Sequence, residues 1–429
     1  MLNLSFKSPD LYKKTCFPGF LAAGLMLSGC QTMPWSDTGT SSNVTPSNVE
    51  NPSVNESKYD EQIVTDKLQQ PEFADTRVAI SEPKDIWYRL KKGFALEKPQ
   101  NKRLQREYDW YRKHPEYLVR VQERAEPFLY YILNEVERRE LPAELVLLPV
   151  VESAFQPFAY SPGRAAGLWQ FIPSTGKMYG LQQNWWYDGR RDIVASTNAA
   201  LDYLTALSRQ FDGDWELALA AYNAGAGNVR KAIRKNRQKN KPTDYWSLPL
   251  PRETQTYVPR LLAICKIIQD SEKLNISLKP IPDKAQLGII NMDTQIDLAK
   301  AAEMAGISID EMYQLNPAFN RWATSPEGSY DLLLPVDAKP VFEEKLALLD
   351  KTELLQWQRY KIRQGDSLSR IAKKHQTTTS ILKEVNKLNS SRIRAGKHLL
   401  IPVALQDPDS YRLSASQRLK KKQAGKRPG

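Results

Sequence analysis

The stretch Glu140-Leu141-Pro142-Ala143-Glu144-Leu145-Val146-Leu147-Leu148-Pro149-Val150-Val151-Glu152-Ser153-Ala154-Phe155 sets the reading of this chain. Pro142 stands where a helix begins, and an apolar run follows it. Glu152 closes that run and is followed by a further apolar pair, Ala154-Phe155. A carboxyl in such surroundings loses solvation in its charged form, so its pKa rises. A carboxylic acid still protonated near neutral pH is what a general acid requires. The competing reading is a helix-end Glu that caps its helix or pairs with an Arg, and the spacing alone leaves both open.

Working outward, the same helical period extends over residues 81–272. Ile86, Trp87, Leu90 and Phe94 recur at three- and four-residue steps, as do Leu118, Val121, Ala125, Phe128, Tyr131 and Ile132. Strand signals are scarce here, so a mainly α domain is expected. Within it, three polar and aromatic blocks stand out: Ser161-Pro162-Gly163-Arg164-Ala165-Ala166-Gly167-Leu168-Trp169-Gln170, Ala221-Tyr222-Asn223-Ala224-Gly225, and Arg252-Glu253-Thr254-Gln255-Thr256-Tyr257. Amides and aromatic hydroxyls suit sugar binding, because polar tips bond hydroxyls and flat faces stack on rings. Trp169, Trp185, Trp186, Tyr187 and Trp215 are candidate stacking surfaces, although most aromatics of a helical domain are core. The loop Pro173-Ser174-Thr175-Gly176-Lys177-Met178 lacks the first Gly and the Ser or Thr of a phosphate-binding loop.

The rest of the chain holds a degenerate internal repeat. Leu298-Ala299-Lys300-Ala301-Ala302 matches Leu368-Ser369-Arg370-Ile371-Ala372, and Leu315-Asn316 matches Val385-Asn386, at a spacing of seventy. Leu332-Leu333-Leu334-Pro335-Val336 then matches Leu399-Leu400-Ile401-Pro402-Val403 three residues out of step. Each unit, 285–340 and 358–404, reads as strand, two short helices, strand. A repeated small unit argues for modular binding. The basic end, 405–429, lacks an apolar pattern and is expected to be disordered.

The N-terminus reads as an address. Lys7, Lys13 and Lys14 precede a short apolar stretch, the layout of a signal peptide over 1–29. Leu27-Ser28-Gly29-Cys30 matches a bacterial lipobox, which makes Cys30 the expected lipidation site and the lipid the expected membrane contact. Gln31, where an Asp would favour inner-membrane retention, points to a periplasmic protein anchored at the outer membrane of a Gram-negative bacterium. Residues 30–80, rich in Ser, Thr, Asn and Pro, read as a flexible tether. With Cys16 removed and Cys30 lipidated, only Cys265 of the 3 cysteines remains, and it lies in an apolar run that marks it as a core thiol. With 3 Cys and 3 His, neither a disulfide scaffold nor a metal centre is expected. The formal charge of +12 over 429 residues favours an anionic partner: nucleic acid, lipid or an acidic polymer. Export argues against nucleic acid. A mean hydropathy of -0.54 excludes a multispan membrane protein.

Residues 140–260 resemble the catalytic domain of soluble-type lytic transglycosylases, a lysozyme-like fold. The blocks that carry the resemblance are Glu152-Ser153, Gly167-Leu168-Trp169-Gln170, Ala221-Tyr222-Asn223-Ala224-Gly225 and Tyr257. Residues 360–403 resemble a LysM module, through Tyr360-Lys361-Ile362-Arg363-Gln364-Gly365-Asp366-Ser367-Leu368 and the closing Leu400-Ile401-Pro402. The 285–340 unit lacks the Gly-Asp opening.

The resemblance implies a multidomain chain: a mainly α lysozyme-like catalytic domain followed by small βααβ modules. It implies cleavage of the β-1,4 bond between N-acetylmuramic acid and N-acetylglucosamine in peptidoglycan glycan strands, without a cofactor. Glu152 is then the acid and base of a reaction that closes a 1,6-anhydro ring and consumes no water. Ser161, Gln170, Tyr222, Asn223 and Tyr257 line the substrate cleft, and Gly365, Asp366, Ser367 and Leu368 are the glycan-binding positions of the LysM unit. Two carboxylates serve an ordinary glycosidase. Here the candidates for a second, Asp188 and Asp192, have Arg neighbours that suit ion pairing. A monomer is expected. A hydrolytic muramidase and a non-catalytic peptidoglycan-binding lipoprotein are the alternatives.

Overall fold

The computed structural model describes residues 85–418, apart from 327, 328 and 416. The signal segment, Cys30 and the tether to residue 80 lie outside the described residues, as does the chain beyond 418. Nine α-helices among the described residues form the first part: α1 (Ile86–Lys92), α2 (Lys102–Lys113), α3 (Pro115–Arg138), α4 (Leu148–Ser153), α5 (Pro173–Met178), α6 (Ile193–Gln210), α7 (Trp215–Ala224), α8 (Ala226–Arg237) and α9 (Arg252–Gln269). α3 forms because Leu118, Val121, Ala125, Phe128, Ile132 and Val136 repeat at three- and four-residue steps and bury one stripe. α9 is buried on most sides, and Cys265 sits in it fully covered. Side-chain oxygens of Asp192 and Asp214 cap the N-termini of α6 and α7.

The apolar run of 143–152 does not form one helix. It opens as a 3-10 turn, Ala143–Leu147, and continues as α4, with Pro149 in the first turn where a missing N–H costs nothing. Ala154 and Phe155 then take positive φ values of 50° and 54° and end the helix one residue after Glu152. Such a backbone is strained for residues with a Cβ. The fully buried Phe155 ring and the bond from the Ser153 hydroxyl to the Leu168 carbonyl, at 2.9 Å, hold the turn in place.

The second part holds two strand–helix–helix–strand units. The first is β1 (Leu287–Met292), α10 (Leu298–Ala305), α11 (Ile309–Leu315) and β2 (Tyr330–Pro335), with α12 (Lys339–Leu348) after it. The second is β3 (Gln356–Lys361), α13 (Leu368–Lys374), α14 (Thr379–Val385) and β4 (His398–Val403). Each pair of strands is antiparallel, Leu287 opposite Pro335 and Gln356 opposite Val403.

The sequence repeat has a structural counterpart. Asn316 accepts from the Leu333 N–H and donates to the Leu333 carbonyl, at 2.8 and 2.7 Å. Asn386 does the same to Leu400, at 2.7 and 2.8 Å. In both units an Asn amide after the second helix pairs with the last strand as a backbone would. The three-residue offset falls between that Asn and the strand.

One expectation fails here. The segment 405–418 is not disordered: Tyr411 is only 2% exposed, its hydroxyl bonds both Asp297 oxygens, and Arg412 pairs with Asp310. The Ala415 N–H bonds the Asn320 carbonyl at 3.0 Å. Single anchors hold this segment, and single anchors leave no period in a sequence.

Candidate active site

α4, α7, α9 and the loop after α4 meet around a cavity of about 490 Å³. Glu152, Ser161, Gln170, Tyr222, Asn223 and Tyr257 all line it, so five expected ligand residues and the expected acid share one space. The Tyr257 hydroxyl donates to Glu152 Oε1. Burial pushes the Glu152 carboxyl up to about 7; the Tyr257 bond opposes this and the Glu253 charge adds to it. A substantial fraction of the group therefore stays protonated near neutral pH, where an unperturbed Glu would be ionised, and it lines the cavity.

The other residues are fixed by local bonds. Tyr222 donates to the Trp169 carbonyl at 2.9 Å, and Asn223 accepts from the Thr254 hydroxyl at 2.7 Å. Ser161 accepts from the Ala165 N–H at 3.0 Å. Gln170, at a φ of 49°, donates to the Gly167 carbonyl at 2.8 Å. Gly167 itself has a φ of 79°, and a Cβ there would lie 2.1 Å from the Arg190 carbonyl.

Two other carboxyls of the helical part are raised, Asp192 to about 6 and Glu216 to about 7, each mainly by burial. Neither lines the cavity. Asp192 caps α6 and accepts from Tyr187 at 2.9 Å, while Glu216 accepts from the Trp246 ring N–H at 2.9 Å. Asp188 pairs with Arg190 at 2.8 Å. The carboxylate that sequence reading missed is Glu253, on the cavity wall with Arg260. Both project from α9, one turn either side of Tyr257, and the spacing of that helix face is the signal that could have found them.

The stacking candidates fare poorly. Trp169 is fully buried and bonds Thr197, and Trp186 packs edge-on against Trp322 of the next unit. Trp185 is exposed beneath Arg321. None of the five lines the cavity; Phe171, Tyr203, Tyr222 and Tyr257 supply its rings.

In the second unit, Gly365 and Ser367 are exposed, with Gly365 at a φ of 84°. Leu368 is a correction. It is 1% exposed and packs in the unit's core with Ile371 and Leu382, because it opens α13 on the inner face. Asp366 accepts from the Arg363 N–H and the Tyr360 hydroxyl at 2.8 and 2.9 Å, and Ser367 caps α13. These two side chains shape the turn that presents the backbone.

Comparison with known proteins follows this layout. Family models match in order: Transglycosylase SLT domain over residues 130–244, the LysM-like domain of lytic transglycosylase MltD over 286–351, and LysM domain over 360–402. The chain is 39% identical over 342 residues to the membrane-bound lytic murein transglycosylase D of Escherichia coli K12, covering 77% of this chain and 76% of that protein. The chain belongs to this family of lytic transglycosylases. Its helical part is a lysozyme-like transglycosylase domain, and its two βααβ units are LysM-type modules. A protein of Alteromonas sp. named for tributyltin chloride resistance is 50% identical over 119 residues, 28% of this chain and 58% of that one. A solved lytic transglycosylase Slt of Pseudomonas aeruginosa is 31% identical, covers 35% of this chain and 25% of that one, and superposes with a TM-score of 0.26.

Proposed function

We propose that this lytic murein transglycosylase cleaves the MurNAc-β-1,4-GlcNAc bond with Glu152 as its single acid and base. The observation that carries the reading is a carboxyl held near a pKa of about 7 in a cavity with amide and hydroxyl groups on its walls. The protonated Glu152 donates to the leaving oxygen as the bond to the muramoyl C1 breaks. The substrate's acetamido group stabilises the cation, with Gln170, Ser161, Tyr222 and Asn223 as the groups that hold the sugar. The Glu152 carboxylate then takes the C6 hydroxyl proton as O6 closes on C1. The net change moves one proton from O6 to the leaving oxygen and consumes no water. Tyr257 steadies the carboxylate between the two steps.

The E. coli relative is membrane-bound by name, and this chain is correspondingly a protein of the Gram-negative envelope. Among the described residues no helix is long and apolar enough to cross a membrane. The reading therefore assigns attachment to the lipid on Cys30, with outer-membrane placement from Gln31. The chain acts as a monomer, and the second LysM module holds it on peptidoglycan.

Glu253 on the wall keeps one other reading in view, hydrolysis by a water that this second carboxylate activates. Mass spectrometry of fragments released from purified peptidoglycan separates the two. Products ending in 1,6-anhydromuramic acid, one water lighter, are expected. Reducing-end products would make the enzyme a muramidase. Glu152→Gln should release no product and still bind glycan strands.

A further inference from the structure

The two LysM-type modules expose different amounts of the same face. At the spacing of seventy, Gly365, Asp366, Ser367 and Leu368 correspond to Gln295, Ile296, Asp297 and Leu298. In the second module Gly365 and Ser367 face solvent. In the first, all four are buried, at 9%, 0%, 1% and 0% exposure. Their cover is this chain itself. The Leu405 N–H and the Tyr411 hydroxyl bond Asp297 at 2.8 and 3.0 Å, and Gln295 donates to the Thr324 carbonyl at 2.8 Å.

The other loop of the first module is committed as well. Three residues longer than its counterpart, it runs from Asn316 to β2 and lies against the catalytic domain. Its Ala318 carbonyl accepts from the Asp188 N–H at 2.9 Å, and its Asn320 N–H donates to the Trp186 carbonyl at 2.7 Å. Phe319 forms a bridge with Tyr187. The Asn320 side chain accepts from Arg191.

From there a short path leads to the cleft. Asp188 holds the neighbouring Arg190 guanidinium by two bonds, at 2.9 and 2.8 Å. Arg190 donates to the carbonyls of Arg164 and Phe171, at 2.6 and 3.3 Å. Those two carbonyls bracket the loop that carries Gln170, and Ser161 lies just before it. The Arg190 backbone also presses against Gly167, where no Cβ fits.

We infer that the 285–340 module does not hold glycan but buttresses the cleft wall, with Asn320 and Arg190 as positioning residues for Gln170 and Ser161. A face closed by the chain's own backbone and side chains has no room for a sugar strand. An intramolecular contact that ends on two carbonyls of the cleft loop fixes that loop at no cost to the substrate's binding energy. The inference rests on the reading of the cavity beside Glu152 as the substrate cleft.

The test uses the full chain and soluble uncrosslinked glycan strands. Asn320→Leu removes the side-chain acceptor for Arg191 and leaves only the Ala318 carbonyl at 3.4 Å, Asn320→Asp keeps it, and Arg190→Lys keeps the charge while losing the fork. Asn320→Leu and Arg190→Lys should each lower kcat about tenfold with little change in KM, since a misplaced cleft wall costs transition-state contacts. Together they should lose about tenfold and not about a hundredfold, because they act on one path. Asn320→Asp should stay within about twofold of the native rate, and sedimentation with sacculi should not change in any variant. Additive losses, unchanged kcat, or reduced sedimentation at native kcat would each overturn the inference. If Asn320→Leu is unfolded at the assay temperature, Asn320→Ala supplies the same deletion with less bulk. Turnover surviving in Glu152→Gln would overturn the site's reading alone, because the coupling of Asn320 to Arg190 is read on whatever turnover the chain has.

Discussion

At the scale of single residues, the chemistry turns on opposing influences at Glu152. Burial and Glu253 raise its pKa, and the Tyr257 hydroxyl lowers it. A general acid must be protonated in the free enzyme, so kcat/KM should fall as pH rises through about 7. Tyr257→Phe removes a bond that favours the carboxylate, so that limb should move to higher pH while kcat drops on the order of tenfold. Stability follows the same shift. Below an unfolded pKa of about 4.3, folded and unfolded chains both hold the proton. Between there and about 7 the folded chain holds it more tightly, so stability is lost as pH rises. Glu152→Gln should therefore raise the melting temperature at pH ~8, by up to about 3 kcal/mol of stability, and leave it unchanged near pH ~4. Glu152 was legible in the sequence because an apolar run surrounds it locally and the resemblance to lytic transglycosylases resolves what the spacing leaves open. Glu253 and Arg260 lie one helical turn either side of Tyr257, on the same face of α9, but that this face meets α4 beside Glu152 is set by tertiary packing.

At the scale of elements, the same device carries different weight in the two modules. Asn316 and its partner Leu333 are 3% and 2% exposed, whereas Leu400 is 46% exposed. An unpaired backbone group costs most where water cannot replace the lost bond. Asn316→Leu should therefore cost about 2–3 kcal/mol in chemical denaturation, and Asn386→Leu about 1 kcal/mol or less. The repeat itself was legible, since Leu315-Asn316 and Val385-Asn386 recur with their helices. The helix boundaries around Glu152 were less so. The sequence suggests one helix from Pro142, while the chain makes a 3-10 turn and then α4, the break lying just before Pro149. Leu368 shows the limit in the other direction. A motif marks where a loop binds, and the helix that begins there decides which side chains point inward.

At the scale of the whole molecule, the two modules divide their work. The second keeps Arg392, Arg394 and Lys397 exposed on the loop between α14 and β4. Peptidoglycan stems are anionic, so reversing these three charges to Glu should weaken sedimentation with sacculi several-fold. The loss should be greatest at low salt, where exposed charges are least screened. Turnover of soluble glycan strands should be unchanged, because none of the three lines the cleft. The segment 405–418 belongs to this scale too. It crosses from the second module to Asp297 and Asn320 of the first, and its Arg418 lies over the Phe158 ring of the catalytic domain.

Local chemistry lies in the chain order. Helical period, the isolation of Glu152 among apolar residues, the polar and aromatic motif blocks and the βααβ repeat depend on residues near one another, and the sequence alone determined them. Tertiary structure decided what depends on distant residues meeting. It set Glu253 beside Glu152, turned Trp169 and Trp186 from stacking surfaces into core, and closed the face of the first module with Tyr411. Burial of those groups is a sum over neighbours from several elements, and no local pattern carries that sum.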